Sequence, residues 1–164
     1  MTGVSKQTRS ERLAALTAGI FRIVEEKKVL LRAPTASTRV AMLACHRWQL
    51  TKAVCNYRWF IKSALAPCVR VTETSGQAAA LIAAVDAVHD LLSGYVLHWS
   101  NGDNTARWPD YQAAATATLD DIATRVRRIS DASAVLLPET VAPDGAAPRG
   151  PLDRVIRTTT SVHE

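Results

Sequence analysis

Three prolines divide this 164-residue chain into four segments, and that division constrains the fold more than any other feature of the sequence. Pro34, Pro67 and Pro109 each fall at a break between long segments that are compatible with helix. Because proline is tolerated at the start of a helix but breaks its interior, the three breaks predict four helices. Alanine is abundant, and β-branched and aromatic residues do not alternate, so strands are not expected.

Local signals indicate where each helix begins and ends. The first is predicted at about 10–32, with Thr8 or Ser10 as its cap, and the second opens after the cap-like run 35–38 and ends near 65. The third is predicted at about 75–99, with Ser75 as a candidate cap. The fourth, at about 108–129, has Pro109 in its first turn.

Each predicted helix has an apolar face at helical spacing. In the second helix, that face consists of Leu43, Leu50, Val54, Tyr57, Ile61 and Leu65. In the first helix, Lys27 interrupts the face. Four such helices with short connections pack most simply as an antiparallel bundle, so the predicted fold class is all-α, with a bundle domain at 1–130. The Pro/Ala/Thr-rich tail at 131–164 has no sustained periodicity and is expected to be flexible and disordered alone.

Charge is distributed unevenly along the chain. Residues 1–72 hold thirteen basic and three acidic side chains, for a formal charge of +10, whereas residues 73–164 carry −5. From Lys27 to Thr72 there are nine lysines and arginines and no acidic residue. Such asymmetry is informative about binding partners rather than about fold.

The second predicted helix has a stripe of residues outside its apolar face. Since successive helical residues advance by about 100°, Trp48, Lys52, Trp59 and Lys62 share one side, turned by roughly 140° from the core stripe. Arg47 and Arg58 lie between the two stripes, where their stems can cover apolar surface. The candidate binding residues are therefore Arg47, Trp48, Lys52, Arg58, Trp59 and Lys62.

Two interpretations of this stripe remain open at the level of sequence. Tryptophan beside lysine is typical of a contact surface for protein, and aromatic rings interleaved with cations also suit single-stranded nucleic acid. Alternatively, the tryptophans pack against neighbouring helices, because a central helix can be buried on two sides. The acid-free context favours contact, since a merely solvated face usually mixes both signs.

The sequence offers little that indicates catalysis. Asp86, His89, Asp90 and Ser93 share the polar side of the third helix, so a small enzyme or metal protein centred on His89 is one hypothesis. A solvated polar face is the simpler interpretation, since bundle metal sites usually take ligands from several helices. Phosphate-binding loops, hydrolase elbows and zinc-protease motifs do not occur, so no catalytic residue, metal ligand or cofactor is predicted.

The cysteines, the first 24 residues and the lengths of the apolar stretches bear on the compartment and on membrane association. Three cysteines without CxxC spacing suit a reducing intracellular compartment, with the cytoplasm expected, and they are expected to be buried or half-buried free thiols. The basic, amphipathic residues 1–24 keep the mitochondrial matrix as an alternative. Because no apolar stretch approaches the ~20 residues needed to cross a bilayer, no membrane span is predicted.

These observations support one leading hypothesis and two alternatives. The leading hypothesis is a non-enzymatic structural or adaptor subunit that docks in a larger assembly, on a protein partner or a second copy, through a basic, tryptophan-bearing face. The first alternative is a protein that binds nucleic acid without sequence preference. The second is the enzyme or metal protein centred on His89.

Overall fold

The computed structural model describes residues 7–33, 37–100 and 106–137, with the backbone alone for 37–40. Within these residues the elements are α1 (Arg9–Arg32), α2 (Ser37–Leu65), α3 (Ser75–Ser100) and α4 (Trp108–Leu136). A short 3₁₀ helix at Cys68–Arg70 lies between α2 and α3. The described residues contain no strand, and the predicted all-α four-helix bundle is confirmed.

The helix ends lie close to the predicted positions, with two differences. Thr8 caps α1 through a capping box: its hydroxyl accepts from the Glu11 amide at 3.1 Å, and its own amide donates to the Glu11 carboxylate at 2.7 Å. Ser75, a predicted cap, is instead the first residue of α3. The other difference is that α4 continues past Ile129 to Leu136, because Ser130, Ser133 and the following Leu137 are buried.

Contacts between the helices show that α1 runs antiparallel to α4 and that α2 runs antiparallel to α3. Near the start of α1, Thr17 meets Ser130 near the end of α4, and Lys28 near the end of α1 meets Asp120 towards the start of α4. Likewise, Arg47 near the start of α2 meets Trp99 at the end of α3. Each helix packs mainly against two others, so α2 lies between α1 and α3 and diagonally opposite α4.

The core follows the predicted apolar faces. All six residues assigned to the apolar face of α2 are buried: Leu43, Leu50, Val54, Tyr57, Ile61 and Leu65. Lys27, which interrupts the predicted face of α1, does not turn outward but is completely buried. Among the described residues, Lys27 is therefore the only lysine, arginine, histidine or carboxylate side chain that is buried in the bundle interior.

By length and composition alone, α3 is the one described helix that is apolar enough to cross a membrane. The core helix of a globular protein passes the same test, and α3 buries Val85, Val88 and Leu92 against the other helices. It also carries Asp86 and Asp90. This one apolar helix therefore does not argue for a membrane span.

Candidate binding surface

The side of α2 that faces away from the core carries two exposed tryptophans. Trp48 is 65% exposed and Trp59 is 64% exposed, although the aromatic residues Tyr57 and Phe60 of the same helix are buried. The cause is helical geometry: a position about 140° from the core stripe cannot be covered by α1 or α3, which flank that stripe. Packing against neighbouring helices, the simpler interpretation of the tryptophans, therefore does not hold.

Lys52 lies between the two tryptophans along the helix. Its Nζ atom is 5.3 Å from the centre of the Trp48 ring, a distance at which a cation and an aromatic face attract. At a rise of 1.5 Å per residue, Trp48 and Trp59 are separated by about 16 Å along the helix axis. The surface thus presents two apolar rings with a positive charge between them.

Arg58 and Lys62, also predicted binding residues, are engaged within the bundle. Arg58 donates from Nε to Oδ1 of Asp86 on α3 at 2.5 Å, and Lys62 donates to Oδ2 of the same carboxylate at 3.0 Å. These hydrogen bonds, that of Arg58 foremost, hold the pKa of Asp86 below its usual value of 3.8. Asp90 also attracts Arg58, so both cations are paired with carboxylates of α3.

Arg47, the remaining predicted binding residue, is turned towards the end of α3. Its Nη1 atom donates to the backbone oxygen of Trp99 at 2.8 Å, and the side chain is half-buried. That oxygen belongs to the last turn of the helix, where carbonyl groups lack intrahelical partners. Arg47 therefore closes the end of α3 and contributes little to an external surface.

We define the α2 outward face as Trp48, Lys52 and Trp59 together with the exposed thiols of Cys45 and Cys55. The exposure of these two thiols contradicts the expectation that all the cysteines are buried or half-buried. Cys68 alone is half-buried. The α2 outward face bears no carboxylate, and Lys52 is its only charged side chain.

The polar residues around His89 do not converge on one point. Asp86 is taken by Arg58 and Lys62, and His89 Nδ1 lies 3.5 Å from the exposed carboxylate of Asp90. Ser93 donates to the backbone oxygen of His89, as serines inside helices often do. Among the described residues, no group of three or more histidines, cysteines or carboxylates is placed to hold a metal ion.

Lys27 is the centre of a second group of polar side chains, inside the bundle. Its Nζ atom lies 4.9 Å from the centre of the Tyr95 ring and has no hydrogen-bond partner. Burial in the first place, and the charge of Arg47 in the second, lower the pKa of Lys27 from 10.5 to about 7. Burial likewise raises the pKa of Tyr95. The sequence placed Lys27 on the apolar face of the first helix but gave no sign that Tyr95 would lie beside it.

A chain of hydroxyl groups joins three helices on the other side of the interior. Ser130 of α4 lies 2.8 Å from the hydroxyl of Thr17 on α1 and 2.8 Å from that of Tyr57 on α2. The Tyr57 hydroxyl also donates to the Val126 carbonyl at 3.4 Å. Burial raises the pKa of Tyr57 to about 12. These groups satisfy one another, so the chain stabilises the bundle and leaves no group directed at a ligand.

Side chains in a shallow groove between α1 and α4 are also engaged in contacts within the bundle. Lys28 pairs with Asp120 across the groove and with Glu25 on its own helix. Gln112, beside them, donates to the Leu31 carbonyl. Lys28, Asp120 and Gln112 are therefore engaged in contacts within the bundle.

Comparison of the chain with known protein families, curated proteins and solved structures finds no match. Its class therefore rests on the fold and the surface described above. The protein is an all-α, four-helix bundle whose second helix presents two exposed tryptophans and a lysine to solvent.

Proposed function

We propose that this protein is a non-enzymatic helical subunit that docks in a larger assembly through the α2 outward face. The observation that carries the proposal is the exposure of Trp48 and Trp59, each to about two thirds, on one side of a helix without acidic residues. Tryptophan is favoured at interface hot spots because it buries a large area with few rotatable bonds.

The area involved is large enough to matter for binding. A tryptophan buries up to about 250 Å², so the exposed two thirds of each ring amounts to about 160 Å². At about 25 cal/mol per Å², covering it contributes about 4 kcal/mol per ring before the costs of association. Two such rings about 16 Å apart can anchor a partner along three turns of helix.

The internal contacts of α2 favour a protein partner over nucleic acid. Binding to a phosphate backbone needs several free cations, since affinity and salt dependence grow with the number of phosphates neutralised. Arg47, Arg58 and Lys62 are each occupied by a carbonyl or carboxylate of α3. A protein partner is therefore favoured, and nucleic-acid binding is the alternative that the experiment below distinguishes from it.

The test is to purify the tagged full chain gently from its native cells and to measure its assembly size by size-exclusion chromatography and mass spectrometry. Trp48→Ala with Trp59→Ala should release the partner. Val135→Ala, which truncates an 81% exposed residue on α4, should not. Retention of the assembly by the tryptophan double variant would refute the proposal. Loss of the assembly on nuclease treatment would instead favour nucleic-acid binding.

A further inference from the structure

The charge of α2 indicates what kind of protein segment the α2 outward face accepts. Lys52 is the only charged side chain of the α2 outward face, and α2 has no acidic side chain along its whole length. An exposed helix face that meets only water usually mixes both signs. We infer that the face receives an acidic amphipathic helix of a different protein, an inference that rests on the proposed function.

Lys52 determines that the α2 outward face is positively charged. Among the described α2 cations, it is the one without a carboxylate or carbonyl partner, and its only recorded contact is with the Trp48 ring. A partner carboxylate beside Lys52 would lie in surroundings made drier by the two indole rings, where opposite charges attract more strongly than in water.

A second copy of the chain fits this face poorly. In a two-fold symmetric contact the same surface meets itself, so α2 would lie against α2. In an antiparallel contact of this kind, Trp48 of one copy meets Trp59 of the other. Because Lys52 lies near the midpoint between the two tryptophans, the Lys52 side chains of the two copies then come close together. No carboxylate of α2 is available to neutralise them, and like charges across an interface oppose association.

The geometry of the face suits a helix laid along α2. Trp48 and Trp59 are eleven residues apart, which is three helical turns, and both lie on one straight side of the helix. A helix with apolar residues at i, i+4, i+7 and i+11 presents anchors over the same length. Acidic residues on the edge of that helix would then come beside Lys52.

Site-specific photocrosslinking tests this inference. The full chain, carrying p-benzoylphenylalanine in place of the exposed Cys55, is expressed in its native cells, irradiated, and the crosslinked peptide is sequenced by mass spectrometry. The same photoreactive residue at Val135, an exposed position on α4, is the control. The expected product at position 55 is a helical segment of another protein in which Asp and Glu outnumber Lys and Arg.

The charge contribution is tested in the same experiment with Lys52 variants. Lys52→Glu should lower the crosslinking yield at position 55 by at least about tenfold, and Lys52→Gln should lower it less, because only the first adds repulsion. A crosslink to a segment without excess acidic residues, to nucleic acid or to α2 of a second copy would overturn the inference. So would a yield that Lys52→Glu leaves unchanged.

Failure of this inference and failure of the proposed function give different results. If a partner is released by Trp48→Ala with Trp59→Ala but its crosslinked segment is not acidic, the docking proposal stands and the acidic partner is wrong. If the tryptophan variants leave the assembly intact and no crosslink forms at position 55, both are wrong.

Discussion

Replacing Lys27 by methionine should stabilise the protein, because it removes an ionisable group from the bundle interior. Methionine keeps the unbranched apolar shape of the lysine stem. In the folded chain the pKa of Lys27 falls from 10.5 to about 7, because burial removes water from the ammonium group and Arg47 adds a second positive charge nearby. The unfolded chain thus binds the proton more strongly than the folded one.

The size of the effect follows from this pKa difference. At 1.36 kcal/mol per pKa unit, and with half of the folded molecules protonated at pH 7, the shift costs about 4 kcal/mol of stability. We therefore expect Lys27→Met to raise the free energy of unfolding by about 4 kcal/mol at pH 7.

The pH dependence provides a sharper signature than the value at one pH. The destabilisation is complete below the folded pKa of about 7 and is relieved as the pH rises towards 10.5. Between pH 7 and pH 9 the wild-type protein should therefore gain about 2 kcal/mol relative to the variant. Urea unfolding followed by circular dichroism at pH 7, 8 and 9 measures both quantities.

The matched control is Lys52→Met, the same chemical change at an exposed position, which should alter stability by less than about 0.5 kcal/mol. Two results would refute the reasoning about Lys27. One is a Lys27→Met protein that is less stable than the wild type at pH 7. The other is a difference between the two proteins that does not change between pH 7 and pH 9.

Three further predictions concern the other polar contacts. Ser130→Ala should lower the free energy of unfolding by about 1–2 kcal/mol, because the Tyr57 hydroxyl then keeps only the long contact to Val126; unchanged urea unfolding would contradict this. Because burial raises the pKa of Tyr57 to about 12, the free energy of unfolding should fall as the pH rises above 10. Tyr57→Phe should reduce that fall when unfolding is measured at pH 9 and 11. Carbon-13 NMR titration of Asp86 should give a pKa below 3.8, and Arg58→Gln should move it upward; a wild-type value at or above 3.8 would exclude the charge pairing.

The sequence predicted the elements of the fold because their signals are local. Proline breaks, the capping residue Thr8 and the apolar stripe of α2 each act within a few residues of the chain. The same 100° geometry correctly separated the side of Trp48 and Trp59 from the core. The end of α4 was predicted too early, because the burial of Ser130 and Ser133 depends on the neighbouring helices. Most of the predicted tail lies outside the described residues.

The tertiary structure alone decided which polar side chains remain available to a partner. Arg58 meets a carboxylate 28 residues away along the chain, and Arg47 meets a carbonyl 52 residues away. Over such separations a sequence pattern carries no information about which side chains pair. Lys27 interrupts the predicted apolar face of α1, but whether its side chain turns outward or inward depends on the packing of the other helices. The sequence thus determined which faces each helix presents, whereas only the packing of α2 between α1 and α3 decided which of those faces are covered.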